Sequence, residues 1–149
     1  MAPERPAWII GRLARQVELA AASVELTLSQ YRVLIMLGAG AETASALADK
    51  LAVGRPSLTG VIDGLAARNL VQRDHDPGDR RRISLDLTDS GRRLLGTADA
   101  EVERRLEEIA AHCPDGADAA FAGLTPWQEA LDAYRVARRA ARGREGTPA

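Results

Sequence analysis

The feature that most constrains this chain is a change of hydrophobic period near residue 70. Before it, Ala44, Leu47, Ala48 and Leu51 recur at helical spacing, and beyond the Ala52-Val53-Gly54 turn so do Leu58, Val61, Ile62 and Leu65. From Leu70 the period falls to two. Leu70-Val-Gln-Arg73 reads as a strand, Asp74 to Asp79 is dense in turn formers, and Arg82-Ile-Ser-Leu-Asp-Leu87 alternates strictly. Ile83, Leu85 and Leu87 are predicted to face inward. Two short helices joined by a tight turn form a helix-turn-helix. A hairpin directly behind them is too small to be stable alone, so it must pack on those helices. Gly54 is predicted to supply a positive φ in the turn. Pro56 suits the first turn of the next helix, where its missing N–H costs little.

The flanks are helical. Residues 1–6 hold two prolines and read as a flexible arm, and residues 7–23 form a helix carrying Trp8, Ile9, Leu13 and Val17. Ser29 is a candidate N-cap for an apolar helix that stops at Gly38, and Thr43 or Ser45 starts the helix after it. Thr88 caps a helix whose stripe of Leu94, Leu95, Ala98, Val102, Leu106 and Ile109 runs to about His112. A final helix carries Phe121, Leu124, Trp127, Leu131 and Tyr134, and residues 143–149 read as a frayed tail. The fold class is mainly α with a small β-hairpin (α+β), as one domain over residues 7–142. Aromatic residues make up 3% of the chain and alanine is abundant, so each side chain buries little area. A thin core of this kind hints that helices complete their burial on a partner chain.

Charge narrows the function. Twenty basic residues face 21 acidic ones, a formal net charge of −1, so nucleic-acid binding must rest on local charge. Such a patch exists: over residues 80–93, Arg80, Arg81, Arg82, Arg92 and Arg93 face only Asp86 and Asp89. Arginine is planar, permanently charged and slender enough for a narrow minor groove. One cysteine, Cys113, excludes an intrachain disulfide framework, and Cys113 with His112 lacks the ligands of a metal site. No apolar run reaches the length of a membrane span, and the start lacks the plan of a signal peptide, so a cytoplasmic protein with no membrane partner is expected. No phosphate loop, Ser/His/Asp spacing or apolar carboxylate pair is visible, so neither an enzyme nor a cofactor is expected.

The order helix, helix-turn-helix, hairpin resembles the MarR family of winged-helix regulators. The likeness is carried by Leu26-Thr-Leu-Ser-Gln-Tyr-Arg-Val-Leu34, Ala46-Leu-Ala-Asp-Lys-Leu51 and Ser57-Leu-Thr-Gly-Val-Ile-Asp-Gly-Leu65. It continues through Asn69-Leu-Val-Gln-Arg73 and Asp79-Arg-Arg-Arg-Ile-Ser-Leu-Asp-Leu-Thr88. It implies a homodimer joined through residues 7–23 and 97–142, with a DNA-binding winged helix over 29–95. It also implies double-stranded DNA with a near-palindromic operator as partner, a repressor role and release by a small-molecule effector.

The family's Asp-x-Arg wing motif maps onto Asp79 and Arg81, which makes Arg81 the minor-groove residue and Asp79 its brace. Arg55, Ser57 and Thr59 fall where the family's recognition helix meets DNA. Arg73 and Arg82 are read as phosphate contacts, which position without reading sequence, and Arg80 joins the same basic wing. Gly60 stands where many relatives carry a larger polar or basic side chain, a departure that takes away a base contact and opens the helix to close approach. The resemblance places an effector pocket between the dimer helices and the winged helix, near Arg12, Tyr31 and Met36. The peroxide-sensing cysteine of some relatives has no counterpart near the first helix here. The alternative readings are a winged-helix protein-interaction scaffold and a ligand-binding helical protein without DNA binding.

Overall fold

The computed structural model describes residues 5–75, 78–79 and 82–145. Its elements run α1 (Pro6–Ser23), α2 (Leu28–Gly38), β1 (Glu42–Thr43), α3 (Ala44–Leu51), α4 (Arg55–Ala67), β2 (Val71–His75), β3 (Ile83–Leu87), α5 (Asp89–Ala110), α6 (Gly116–Ala122) and α7 (Thr125–Glu145). The chain divides into two compact units, Met1–Leu106 and Glu107–Ala149.

The first unit holds a continuous apolar core. Leu26, Leu34, Leu37, Leu47, Leu65 and Leu87 are its largest fully buried side chains, joined by Val33, Leu58, Ile62, Leu85 and Ala98. The helical stripes and the hairpin therefore pack together as the periodicity predicts. Local chemistry sets the element ends. Thr27, rather than Ser29, caps α2: its hydroxyl accepts from Gln30 N–H, and the Gln30 side chain accepts in return from Thr27 N–H. Thr43 caps α3 by accepting from Ala46 N–H.

Three details depart from the sequence reading. The left-handed residue between α3 and α4 is Ala52, at φ 54°, whereas Gly54 is extended, at φ −67°, and precedes α4 as its N-cap. The helix stop needs the left-handed residue at the end of α3, and alanine tolerates it where two backbone carbonyls, of Ala48 and Asp49, receive its N–H. The sheet has three strands in the order β1-β3-β2, all antiparallel, because Glu42 and Thr43 pair with Leu85 and Ser84. Two residues are too few to register as an alternation. Finally, Ile83 is exposed while Leu85 and Leu87 are buried. Alternation fixes the face, but the hairpin outruns the core, so its outermost inward position has nothing to cover it.

In the second unit, α6 and α7 are separate helices, divided at Gly123 and Leu124 where one final helix was expected. Along α7 the apolar side chains stay exposed.

Candidate nucleic-acid interface

The surface that the sequence singles out is built from α4 and the β2–β3 hairpin. Residues on an α-helix advance about 100° each. Leu58, Ile62 and Leu65 are buried and define the inner face of α4. The opposite midline carries Pro56, Gly60, Asp63 and Ala67, all exposed, with Ser57 and Thr59 exposed on its flanks. The Thr59 hydroxyl donates to the Arg55 carbonyl oxygen at 2.9 Å, and Arg55 is the exposed first residue of the helix.

The hairpin pairs Val71 with Leu87 at its base and His75 with Ile83 toward its tip. Asp79 and Arg82 are exposed there, and Arg82 N–H donates to the Asp79 carbonyl at 2.9 Å. Arg80 and Arg81 lie outside the described residues. The base of the hairpin is tied to α5: Arg92 donates to the Leu87 carbonyl at 2.6 Å and to Asp86 at 3.1 Å. Arg92 therefore spends part of its charge on the protein, while Arg93 donates to Ser90.

Arg73 has a partner that linear reading missed. It extends from β2 to Asp63 on the outward midline of α4, where the two side chains form an ion pair. Both are half-exposed, so the pair adds at most about 1 kcal/mol to stability. The only sequence signal for Asp63 was its place on the outer face of the second helix.

The effector candidates differ in burial. Arg12 is exposed on α1, and Met36 is half-buried against the core. Tyr31 is buried, and its hydroxyl donates to Asp99 at 2.6 Å, a partner 68 residues away. Burial pushes the Tyr31 phenol well above its ordinary range, and the hydrogen bond to Asp99 and the charges of Asp99 and Glu103 push the same way. An unfolded chain loses this proton near pH 10, before the folded one does. Between those two values the folded state holds more protons, so stability falls as pH rises above about 10. Tyr31→Phe should flatten that fall and cost about 1 kcal/mol at neutral pH through the lost hydrogen bond. Thermal unfolding followed from pH 7 to 11 checks both parts.

Among the described residues no group of three or more His, Cys, Asp or Glu is placed to hold a metal ion, and no helix is long and apolar enough to cross a membrane.

Comparison with known proteins places this geometry. A model of the MarR family matches residues 26–83. The transcriptional repressor NicR of Pseudomonas putida is 39% identical over 72 residues, 48% of this chain and 46% of NicR. The chain spans about half the length of the curated relatives it matches. The repressor CouR, solved on a 23-mer DNA duplex, is 31% identical with a TM-score of 0.70, covering 82% of this chain and 86% of CouR. CouR from Rhodococcus jostii, solved with p-coumaroyl-CoA, is 25% identical at a TM-score of 0.70, covering 87% of each chain. MarR from Escherichia coli shares the fold, with a TM-score of 0.73 at 21% identity over 85% of this chain and 96% of that one. These relatives are regulators rather than enzymes.

Proposed function

The chain belongs to the MarR family, and from that premise we propose that it is a homodimeric, sequence-specific DNA-binding transcriptional regulator, a repressor released by a small-molecule ligand. The observation that carries this reading is the likeness, over most of both chains, to a repressor held on duplex DNA. The exposed outer face of α4 and the hairpin beside it have the form that enters the major groove and reaches along its flank.

Two copies are needed for a near-palindromic operator, with their recognition helices about 34 Å apart. Each unit offers a face that a second copy would cover. On α1, Trp8, Ile9 and Ile10 are exposed, and in the second unit so are Leu124, Trp127, Leu131 and Tyr134. Large apolar side chains left exposed in this number mark an interaction site. Arg55, Ser57 and Thr59 meet bases and backbone from α4. Arg81, with Arg80 beside it and Asp79 as brace, enters the minor groove, and Arg82 contacts phosphate. An effector that binds one spacing of the two heads better than the other shifts the population and releases DNA. CouR's complex with p-coumaroyl-CoA supports that half of the reading, with Arg12, Tyr31 and Met36 as candidate contacts.

Fluorescence anisotropy with duplex DNA at two salt concentrations is the test. Binding that weakens steeply with salt supports the regulator. No binding at low salt points instead to a protein-interaction scaffold. Arg81→Ala should cost about 1–3 kcal/mol per wing, tenfold or more in operator affinity, with fold and dimer intact. Unchanged affinity would remove the wing from the mechanism.

A further inference from the structure

Along the outward midline of α4 stand Pro56, Gly60, Asp63 and Ala67. Of these four, only Asp63 has a side chain that forms hydrogen bonds. Its neighbours on that line are glycine one turn before and alanine one turn after, so nothing on the midline stands taller. Open space surrounds Gly60, where an added Cβ would meet no atom within 4 Å. A helix stripped in this way along its midline can seat deeply in a groove, and the midline group that then reaches the base edges, between the flanking Ser57 and Thr59, is a carboxylate.

An isolated carboxylate facing DNA would be repelled by the phosphates. Asp63 is not isolated, because Arg73 crosses from β2 and pairs with its Oδ1. The pair is formally neutral, and both side chains are half-exposed, where such a bridge does little for folding. What it does accomplish is to hold an acceptor at the centre of the reading face without a net negative charge.

Resting on the DNA-binding reading above, we infer that Asp63 is a specificity-determining residue that accepts a hydrogen bond from the N4 amino group of cytosine in the major groove, with Arg73 as its positioning residue. An ionised carboxylate only accepts, so it needs a base-edge donor. The major groove offers two, cytosine N4–H and adenine N6–H. Adenine sets its N7 acceptor beside that donor, which opposes a second acceptor. Cytosine carries no acceptor there and is the better match.

Selection of bound duplexes from a randomised pool, using the full-length protein, tests this. The wild type should enrich cytosine at one position of each half-site by about tenfold. Asp63→Asn should shift that position toward adenine, whose N6 and N7 suit an amide, and Asp63→Ala should level it, with all other positions unchanged. Arg73→Met should bind every sequence more weakly and also blunt the cytosine preference at that one position, and Arg73→Lys should restore part of it. The inference is overturned if Asp63→Asn enriches the same base as wild type at every position, or if the preference disappears with Arg73→Met and survives Asp63→Asn. A wild-type protein that enriches no sequence would overturn the regulator reading and this one with it. A preference that ignores Asp63 overturns only this one.

Discussion

Gly91→Ala should lower the unfolding free energy by roughly 3–5 kcal/mol, a large share of what a domain of this size has. An alanine Cβ there would sit 2.0 Å from the Leu70 carbonyl oxygen and 3.0 Å from its carbon. No rotamer relieves this clash, because the backbone alone fixes where Cβ sits and the atoms it meets are those of the Leu70 carbonyl. Nor can Leu70 retreat: its side chain is buried, its N–H donates to Leu65 and its carbonyl receives Thr88 N–H at 3.1 Å. Thr88 closes the same knot, donating its hydroxyl to the Asn69 carbonyl at 2.6 Å and accepting from Gly91 N–H at 3.0 Å. Forcing the start of α5 away from Leu70 gives up these bonds at about 1 kcal/mol each, on top of the overpacking cost.

The midpoint of thermal unfolding should fall by roughly 15 °C. Gly96→Ala is the control. That site is exposed on the same helix with no atom within 4 Å of the added Cβ, so replacing a helical glycine should stabilise by about 0.5–1 kcal/mol. If Gly91→Ala melts with the wild type, the crossing of α5 over Leu70 is wrong. The proposed wing depends on the same knot, since the hairpin leaves α4 at Asn69 and rejoins the helices at Thr88.

Period and turn chemistry carry information over a few residues, and the parts of the molecule that follow such local rules were legible. Leu58, Ile62 and Leu65 announce α4 through their spacing, and Leu85 and Leu87 announce β3. Thr88, three residues before Gly91, marks the start of α5. Where a local pattern underdetermines the outcome, the structure decides. Ala52 takes the left-handed position although Gly54 is two residues away, because the stop belongs to α3 and not to the start of α4. Ile83 obeys the alternation yet finds no core. Glu42 and Thr43 form a strand only because β3, far along the chain, presents Leu85 and Ser84 as an edge.

The candidate interface divides in the same way. That α4 and the hairpin behind it make up the proposed reading head follows from their order, whereas the partnership of Asp63 with Arg73 joins different elements and leaves no periodic trace. Tyr31 and Asp99 are a still longer-range case.

The double variant Trp127→Asp, Leu131→Asp should turn the proposed dimer into a monomer. Leu124, Trp127, Leu131 and Tyr134 follow one another at intervals of three, four and three residues, the spacing of a seam between helices. Trp127 is 61% exposed and Leu131 63%, so neither holds up its own unit. Two carboxylates placed there leave the folded chain little disturbed, and the helical circular dichroism should stay that of the wild type. A partner helix would have to desolvate both charges, which costs several kcal/mol apiece.

Sedimentation should then give the 15.9 kDa of one chain for the variant and twice that for the wild type. DNA binding should fall much further than the loss of any single contact explains. Two linked reading heads gain about 10²–10⁴ in affinity over one, and a monomer forfeits all of it. Half-site DNA separates the causes: the variant should bind a single half-site as well as one wild-type head does. A variant that still sediments as a dimer would move the seam away from α7. A monomer that keeps full operator affinity would detach dimerisation from recognition.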